Sequence, residues 1–555
     1  MMKIAIAQLN YHIGNFKDNV EKVRTTIAKV KDANADIVVF SELSICGYPP
    51  RDFLEFEDFI SLCNESIHTI AKECKDIAVI IGAPSKNPNP NGKGLFNSAY
   101  LLSDGVVKSV HHKALLPNYD IFDEYRYFEP ADSFSVAEYK GHKLAITICE
   151  DIWNLSENQM YRTNPMGNLM KQNPDIIINI SASPFDYAHI EERQTTCIEN
   201  AKKYNLPLFF VNHIGAQTEL IFDGGSMVVN QEGTIIDTAY HFEEDIRLYE
   251  VNEKSGSLQF IHSFREPTTT LSPSPSKTEL IQNALILGIK DYFIKSNLKK
   301  AIVGLSGGID SAVTLVLAAK ALGKDNIRAI LMPSKFSSDH SVNDAKKLAE
   351  NIGCPYDIIS IDSITDSFES TLKPHFDNKP FDIAEENIQA RARGVILMGL
   401  ANKFGYVLFN TSNKSETAVG YGTLYGDMAG GISVLGDVYK MEVYELANYI
   451  NSNEKIIPQN IITKPPSAEL RPNQKDSDSL PDYTILDQIL YQYIELRKGP
   501  KEIINNGFDE ELVARILKMV NQNEYKRFQT PPILRVSPKA FGMGRRIPIV
   551  GKYLT

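Results

Sequence analysis

No run of apolar residues in this chain approaches the ~20 needed to span a bilayer, so no membrane-spanning helix is expected. The opening residues MMKIAIAQLN pass straight into an alternating strand pattern without the apolar core of a secretion signal, and the expected compartment is the cytoplasm. Cysteine is scarce. Cys46, Cys63, Cys74, Cys149, Cys197 and Cys354 are scattered without short paired spacings, so neither a zinc site nor a disulfide framework is expected and all should be thiols. An excess of positive charge is missing as well: the formal net charge of -11 argues against a nucleic-acid footprint. No internal repeat is visible. What remains is an ordinary globular composition, 43% hydrophobic and 23% charged, over 555 residues, long enough for two large domains.

In the first half, short apolar strands alternate with helical patterns. KIAIAQL, ADIVVFSEL, IAVIIGAP, KLAITICED, DIIINISAS and LPLFFVNHIG read as strands, and residues 17–31 and 57–75 as the clearest helices. Polar residues collect at strand ends: Glu42 after Ile37–Phe40, Cys149 after Leu144–Ile148, and Lys113 ahead of Leu115-Leu116-Pro117. If these ends converge they suit acyl transfer, because a carboxylate can take a thiol's proton while an ammonium stabilises developing negative charge. Singly, each has an ordinary alternative: Cys149 as a small buried apolar group, Glu42 as a cap or ion-pair partner, Lys113 as a solvated charge. His111 and His112 lack ligand-like spacing and are expected to be partly exposed.

Residues 266–277, rich in Pro, Ser and Thr, read as a linker between domains at 1–265 and 278–555. Beyond it, Ala301-Ile302-Val303-Gly304-Leu305-Ser306-Gly307-Gly308-Ile309-Asp310-Ser311 reads as strand, turn and helix. Gly307 and Gly308 permit close backbone approach to a ligand, and the amides opening the helix face an anion. A Walker loop would place Lys before Ser or Thr, and a dinucleotide fingerprint would carry a third glycine; neither is present. The helices and apolar strands that follow predict a doubly wound parallel sheet, with ligands at the carboxyl ends of strands, where Ser306, Ser334 and Thr411 fall. Glu416, in the glycine-rich block after Thr411, is a candidate to pair with Asp310 around magnesium, which prefers carboxylate ligands. The polar stretch from Thr463 to Tyr483 is long enough to be functional or disordered.

FSELSICGYPPRD, HHKALLPNYDIFDEYRYF and ICEDIW resemble, in order and spacing, the three catalytic blocks of the nitrilase, or carbon-nitrogen hydrolase, family. The resemblance covers roughly residues 3–250 and implies a four-layer αββα sandwich. It makes Glu42 the general base, Lys113 the oxyanion stabiliser and Cys149 the thioester-forming nucleophile. It also implies that Glu124 orients Lys113 and substrate. Tyr119 and Ser183 match glutamine-holding positions of the glutaminase branch, and His189 stands where a basic residue often follows the Ser-Pro turn.

SGGIDS resembles the loop of the ATP pyrophosphatases. Together with EENIQARARG, NTSNKSETAVGYGTLYGDMAGG and TKPPSAELRPNQKDSDSLPDY it is similar to the synthetase half of the glutamine-dependent NAD synthetase family, whose two-domain plan the whole chain follows. That resemblance implies an ATP site at Gly304, Leu305, Ser306, Gly307, Gly308, Ile309, Asp310 and Ser311, with Thr411, Lys440 and Ser467. It implies deamido-NAD contacts at Asn387, Glu416, Asp427 and Lys526, and magnesium on Asp310 and Glu416, the last residue being shared between the two roles. The implied reaction activates a pyridine carboxylate with ATP and amidates it with ammonia from glutamine, carried through a closed passage. A homo-oligomer acting on small molecules is expected, with neither nucleic acid nor membrane as partner. Two rival readings are activation of a different acid, and a nitrilase-type amidase with a nucleotide-sensing C-terminal module.

Overall fold

The computed structural model describes the whole chain apart from residues 156–159, 253–257, 266–274, 378, 473 and 555. It divides into two compact units, Met1–Pro273 and Ser274–Thr555. Most of the expected linker, residues 266–274, lies outside the described residues.

The first unit opens with β1 (Met2–Gln8), β2 (Ile37–Phe40), β3 (Ala78–Lys86), β4 (Leu95–Ser103) and β5 (Val106–His112). It continues through β6 (Ala137–Tyr139), β7 (His142–Ile148), β8 (Ile176–Ile180), β9 (Leu208–Val211), a hairpin of β10 (Ile214–Gln217) and β11 (Leu220–Asp223), then β12 (Met227–Val229), β13 (Ile235–Thr238), β14 (Asp245–Val251) and β15 (Leu258–Ser263). One sheet has the order β15-β14-β1-β2-β3-β4-β5, the other β13-β12-β9-β8-β7-β6. Strand periodicity sorts the side chains between layers. Ile4, Ile6, Val39 and Ile80 meet Leu144, Ile146, Ile148 and Ile178 between the sheets. The alternating Ala5, Ala7, Val38, Phe40 and Val79 face outward.

Helices cover both outer faces. α1 (Phe16–Asp32) presents Val23, Ile27 and Val30 at helical spacing, and α2 (Glu57–Glu73) presents Ile67 and Ile70, all into the outer core of the first sheet. Asn15 starts α1 by accepting the Asp18 amide. α3 (His189–Tyr204) lays Cys197 and Ala201 on Ala145, Ile177 and Phe210 of the second sheet. The result is an αββα sandwich. Both sheets are covered on both faces, which is why the strands read as nearly continuous apolar runs.

The second unit begins with α4 (Lys277–Lys295), capped by the Ser276 hydroxyl. A five-stranded sheet follows, made of β16 (Lys300–Gly304), β17 (Ile327–Leu331), β18 (Tyr356–Ile358), β19 (Tyr406–Asn410) and β20 (Ile432–Ser433) in the order β18-β17-β16-β19-β20. All its pairings are parallel. The helices include α5 (Ile309–Leu322), α6 (Asp339–Ile352), α7 (Ile383–Phe404), α8 (Lys414–Val419), α9 (Lys440–Asn453), α10 (Tyr483–Ile494) and α11 (Glu510–Gln522), and a further helix at Asp362–Leu372 precedes α7. Ile302, Ile330 and Leu408 pack under Leu397 and Ala401 of α7, while the alternating Ala301 and Val303 are buried on the other face. Strand order reverses between β16 and β19, so their carboxyl ends flank the crevice where a doubly wound sheet takes its ligand. Among the described residues, no helix is long and apolar enough to cross a membrane.

Candidate active sites

In the first unit, Glu42, Lys113 and Cys149 follow the ends of β2, β5 and β7, and all three are buried. Lys113 Nζ lies 2.8 Å from Glu42 Oε1 and 2.8 Å from Glu124 Oε1. Glu42 Oε2 accepts the Ala182 amide at 2.8 Å, and Tyr48 donates its hydroxyl to Glu124 Oε1 at 2.9 Å. Cys149 has φ of +44°, left-handed for a non-glycine residue, and opens a single helical turn. Strain of this kind collects where a side chain must be aimed. The carboxylate of Asp151 clamps the turn. It accepts the amides of Ala114 and Leu115 at 3.0 and 2.9 Å and that of Ile148 at 3.1 Å, tying the segment after Lys113 to the end of β7.

The electrostatics define the resting state. Burial, then the Glu42 charge, push the Cys149 thiol well above its ordinary range, with Lys113 acting against them. The sulfur therefore rests as a thiol and needs a base. Burial works against the charge on Lys113, but Glu124 and Glu42 outweigh it and hold the ammonium. Burial lifts Glu124 to about 7, Lys113 pulling it down and Glu42 pushing it up.

Around this centre, the Tyr119 hydroxyl donates to Glu150 Oε1 at 3.0 Å and Tyr161 donates to the same oxygen at 3.1 Å. Ser183 Oγ lies 3.1 Å from His189 Nε2, and His189 stacks on Trp153 at 5.0 Å between ring centroids. Its Nδ1 is 3.2 Å from Glu192 Oε2. His111, expected to be partly exposed, is buried instead: it lies on β5 with Nε2 2.9 Å from Ser109 Oγ, and burial lowers its pKa to about 4. The strand carries it inward, which its polar character hid.

In the second unit, Gly304, Leu305, Ser306, Gly308, Ile309, Asp310, Ser311, Thr411, Lys440 and Ser467 line one cavity of about 590 Å³, together with Glu416 and Asp427. Gly307 is not in its wall. It takes φ of +82°, and a Cβ there would collide with the Ser341 carbonyl. Ser306 Oγ accepts the Gly308 amide at 3.1 Å and lies 3.2 Å from Ser311 Oγ. The turn thus closes on itself at the N-terminus of α5, an anion-favouring position.

Lys440 Nζ is 2.5 Å from Asp310 Oδ2 and 3.6 Å from Glu416 Oε1, and Asn413 Nδ2 donates to Asp310 Oδ1 at 2.9 Å. Burial, then the Asp310 charge, raise Glu416 to about 8, with Lys440 opposing. Two carboxylates with hard oxygen donors suit magnesium, which takes few protein ligands when a triphosphate supplies others. Among the described residues, no group of three or more His, Cys, Asp or Glu forms a metal cluster.

Asn387 from α7, Lys526 from the helical turn Glu524–Arg527, and Asp427 all bond to the loop that follows α8. Asn387 Oδ1 accepts the Thr423 hydroxyl at 2.6 Å, Asp427 Oδ1 accepts the Thr423 amide at 2.6 Å, and Lys526 Nζ donates to the carbonyls of Gly420 and Gly422 at 2.7 and 2.8 Å. Of these three, Asp427 alone reaches the cavity wall. Ser467 Oγ donates to the Gln474 carbonyl at 2.6 Å, bracing the polar stretch.

Two family models match: carbon-nitrogen hydrolase over residues 3–259 and NAD synthase over residues 281–530. The chain is 43% identical to the glutamine-dependent NAD(+) synthetase of Synechocystis sp. over 99% of its own length and 98% of the relative's. The chain belongs to the glutamine-dependent NAD(+) synthetases. The Acinetobacter baylyi synthetase is also 43% identical, over 99% of this chain and 98% of its own. A solved glutamine-dependent NAD+ synthetase from Acinetobacter baumannii, in complex with ADP, superposes with a TM-score of 0.78 at 40% identity, covering 99% of this chain and 98% of that one. The synthetase from Cytophaga hutchinsonii has a TM-score of 0.83 at 22% identity, over 99% and 98% of the two chains, and supports the fold.

Several residues of this synthetase surround the two centres without having stood out in the sequence. Asn97, Tyr48 and Glu150 touch the first. Asp476, held by the hydroxyls of Tyr421 and Tyr483 at 3.3 and 3.1 Å, lines the second. Glu150 and Asp151 sit inside the ICEDIW block, and adjacency to Cys149 was the signal available for them. Asn97 lies within a strand and Asp476 within an aperiodic stretch, so only tertiary folding brings them in.

Proposed function

We propose that residues 1–265 hydrolyse glutamine to glutamate and ammonia, and that residues 278–555 use ATP and that ammonia to amidate deamido-NAD, giving NAD, AMP and pyrophosphate. The observation that carries this reading is the presence in one chain of a buried Glu42–Lys113–Glu124 cluster beside Cys149 and a cavity over the S-G-G turn.

In the first half, Tyr119, Ser183 and His189 hold glutamine, whose side-chain amide meets Cys149. As the sulfur–carbon bond forms, the thiol proton passes to Glu42, and the Lys113 ammonium stabilises the oxyanion. The proton then goes to the leaving nitrogen and ammonia departs. Water, deprotonated by Glu42, cleaves the thioester to release glutamate. Glu124 keeps Lys113 oriented throughout.

In the second half, Asn387, Asp427 and Lys526 hold deamido-NAD so that its pyridine carboxylate attacks the α-phosphate of ATP. The amides of the S-G-G turn, with Ser306 and Ser311, receive the departing pyrophosphate, and Lys440 offsets its charge. Thr411 and Ser467 contact ATP. Asp310 and Glu416 would hold magnesium, which supplies charge neutralisation for the triphosphate when bound. Ammonia then displaces AMP from the acyl-adenylate.

The test is incubation with glutamine, ATP, magnesium and deamido-NAD, following NAD, glutamate and pyrophosphate together. All three should rise, and ammonium salts should replace glutamine for NAD. Absence of NAD with either nitrogen source overturns the reading.

A further inference from the structure

A single ammonium, Lys113, faces two buried carboxylates in the first unit, so the cluster has one negative charge more than it has positive. In a dry site two like charges this close do not both remain ionised without help, and a proton settles on one of them. Which one decides whether a base exists at all: a protonated Glu42 cannot take the thiol proton of Cys149.

Asn97 distinguishes the two. It lies on β4, fully buried, and contacts every member of the cluster. Its carbonyl accepts the Lys113 amide at 2.8 Å. Its side-chain Nδ2 donates to Glu42 Oε1 at 2.7 Å and to Glu124 Oε2 at only 3.4 Å. The reverse orientation of the amide would bring oxygen against the carboxylate oxygens, so the donor direction follows from its neighbours. Its own Oδ1 is buried without a hydrogen-bond partner. An unpaired buried carbonyl is costly, and an apolar side chain would avoid that cost. What the amide supplies in exchange is a charge-assisted donor aimed mainly at Glu42.

We propose that Asn97 is a positioning residue that keeps Glu42 as the anionic base and leaves the cluster's proton to Glu124. The proposal rests on the reading of this centre as the glutamine-hydrolysing site. The surroundings agree. Glu42 accepts three donors, from Lys113, Asn97 and the Ala182 amide, each suited to an anion. Glu124, whose carboxyl burial lifts to about 7, takes short bonds from Lys113 and Tyr48 and the long one from Asn97. The other titratable groups facing the pair are Cys149, Tyr48 and Tyr161, with Glu150 and Asp151 coupled to the Lys113 charge.

The experiment compares the pH dependence of kcat/KM for glutamine hydrolysis in the full-length protein, wild type against Asn97→Leu and Asn97→Asp. Loss of the donor makes Glu42 harder to ionise, so the acidic limb should move to higher pH, by about one unit for Asn97→Leu. Asn97→Asp preserves shape but adds a third carboxyl, and its limb should move further, by about two units. In both variants activity should climb back toward wild type on the alkaline side. A packing role predicts that the Leu variant loses activity equally at every pH, with its acidic limb where wild type has it, and that result overturns the proposal. If the Leu variant fails to fold, Asn97→Ala, which also lacks the donor and adds no charge, is read in its place with the same two outcomes. Wild-type protein that hydrolyses no glutamine would instead remove the underlying reading.

Discussion

Lys440 Nζ sits 2.5 Å from Asp310 Oδ2, joining the first turns of α9 and α5 across 130 residues of sequence. Burial alone would favour neutral Lys440, but Asp310 and then Glu416 hold it as the ammonium, with a pKa above its ordinary range. The pair therefore presets charge at the mouth of the S-G-G turn. Asp310→Asn should lower AMP and pyrophosphate formation by at least about 100-fold with either glutamine or ammonium salts, while glutamine hydrolysis persists. Synthesis at wild-type rate would remove Asp310 from the proposed site.

The proposed division of labour puts Cys149 in the glutamine-hydrolysing half alone. Its thiol is buried and feels the charges of Glu42 and Lys113. Cys149→Ala should abolish NAD formation from glutamine, by more than about 1000-fold as expected for loss of a covalent nucleophile, and leave formation from ammonium salts. Steady-state rates with the two nitrogen sources check this. Simultaneous loss of both would break the assigned division of labour.

Both halves of the fold were legible where strands are buried on both faces, because β1, β2, β7, β8, β16 and β19 then read as short apolar runs. The meander of β4 and β5 was not read, although Asp104-Gly105 between them is a hairpin signal. The helices α10 and α11, which pack on one another through Leu486, Ile489, Ile516 and Leu517, were not among the expected elements. Glu42, Cys149 and Asp310 stood out because they follow strand ends or a glycine turn. Asn97 could not, because its donor role exists only once folding brings β4 against Glu42, which follows β2, and Lys113, which follows β5.

Gly307 and Gly308 are adjacent in sequence but not equivalent. Gly307 has φ of +82° and its missing Cβ faces the Ser341 carbonyl, whereas Gly308 has φ of -81° and a Cβ there would approach Ser306 Oγ at 3.2 Å. Gly307→Ala should therefore strain the backbone, by about 1–2 kcal/mol from the left-handed conformation alone, and lower the melting temperature of the second unit. Gly308→Ala should leave melting nearly unchanged, so that any rise in its KM for ATP reports crowding of the ligand. Equal melting temperatures for the two variants would contradict the geometry.

A buried ion pair in the first unit makes its stability pH-dependent. Arg193 on α3 donates to both oxygens of Asp223, at 3.0 and 2.6 Å, and His241 Nδ1 is 2.9 Å from Asp223 Oδ2. Burial pushes the Asp223 carboxyl up, but Arg193 and then His241 outweigh it and hold it well below its ordinary value of 3.8. A carboxylate depressed in the folded state stabilises fully above its unfolded pKa and loses that contribution as pH falls below it. Asp223→Asn leaves Arg193 buried without its charge partner, a loss of about 3–5 kcal/mol at pH 7. Thermal unfolding from pH 7 to pH 3 should show the gap between wild type and variant constant down to about pH 4 and narrowing below it. A gap that stays constant across the whole range would mean that Asp223 is not the carboxylate whose protonation the fold resists.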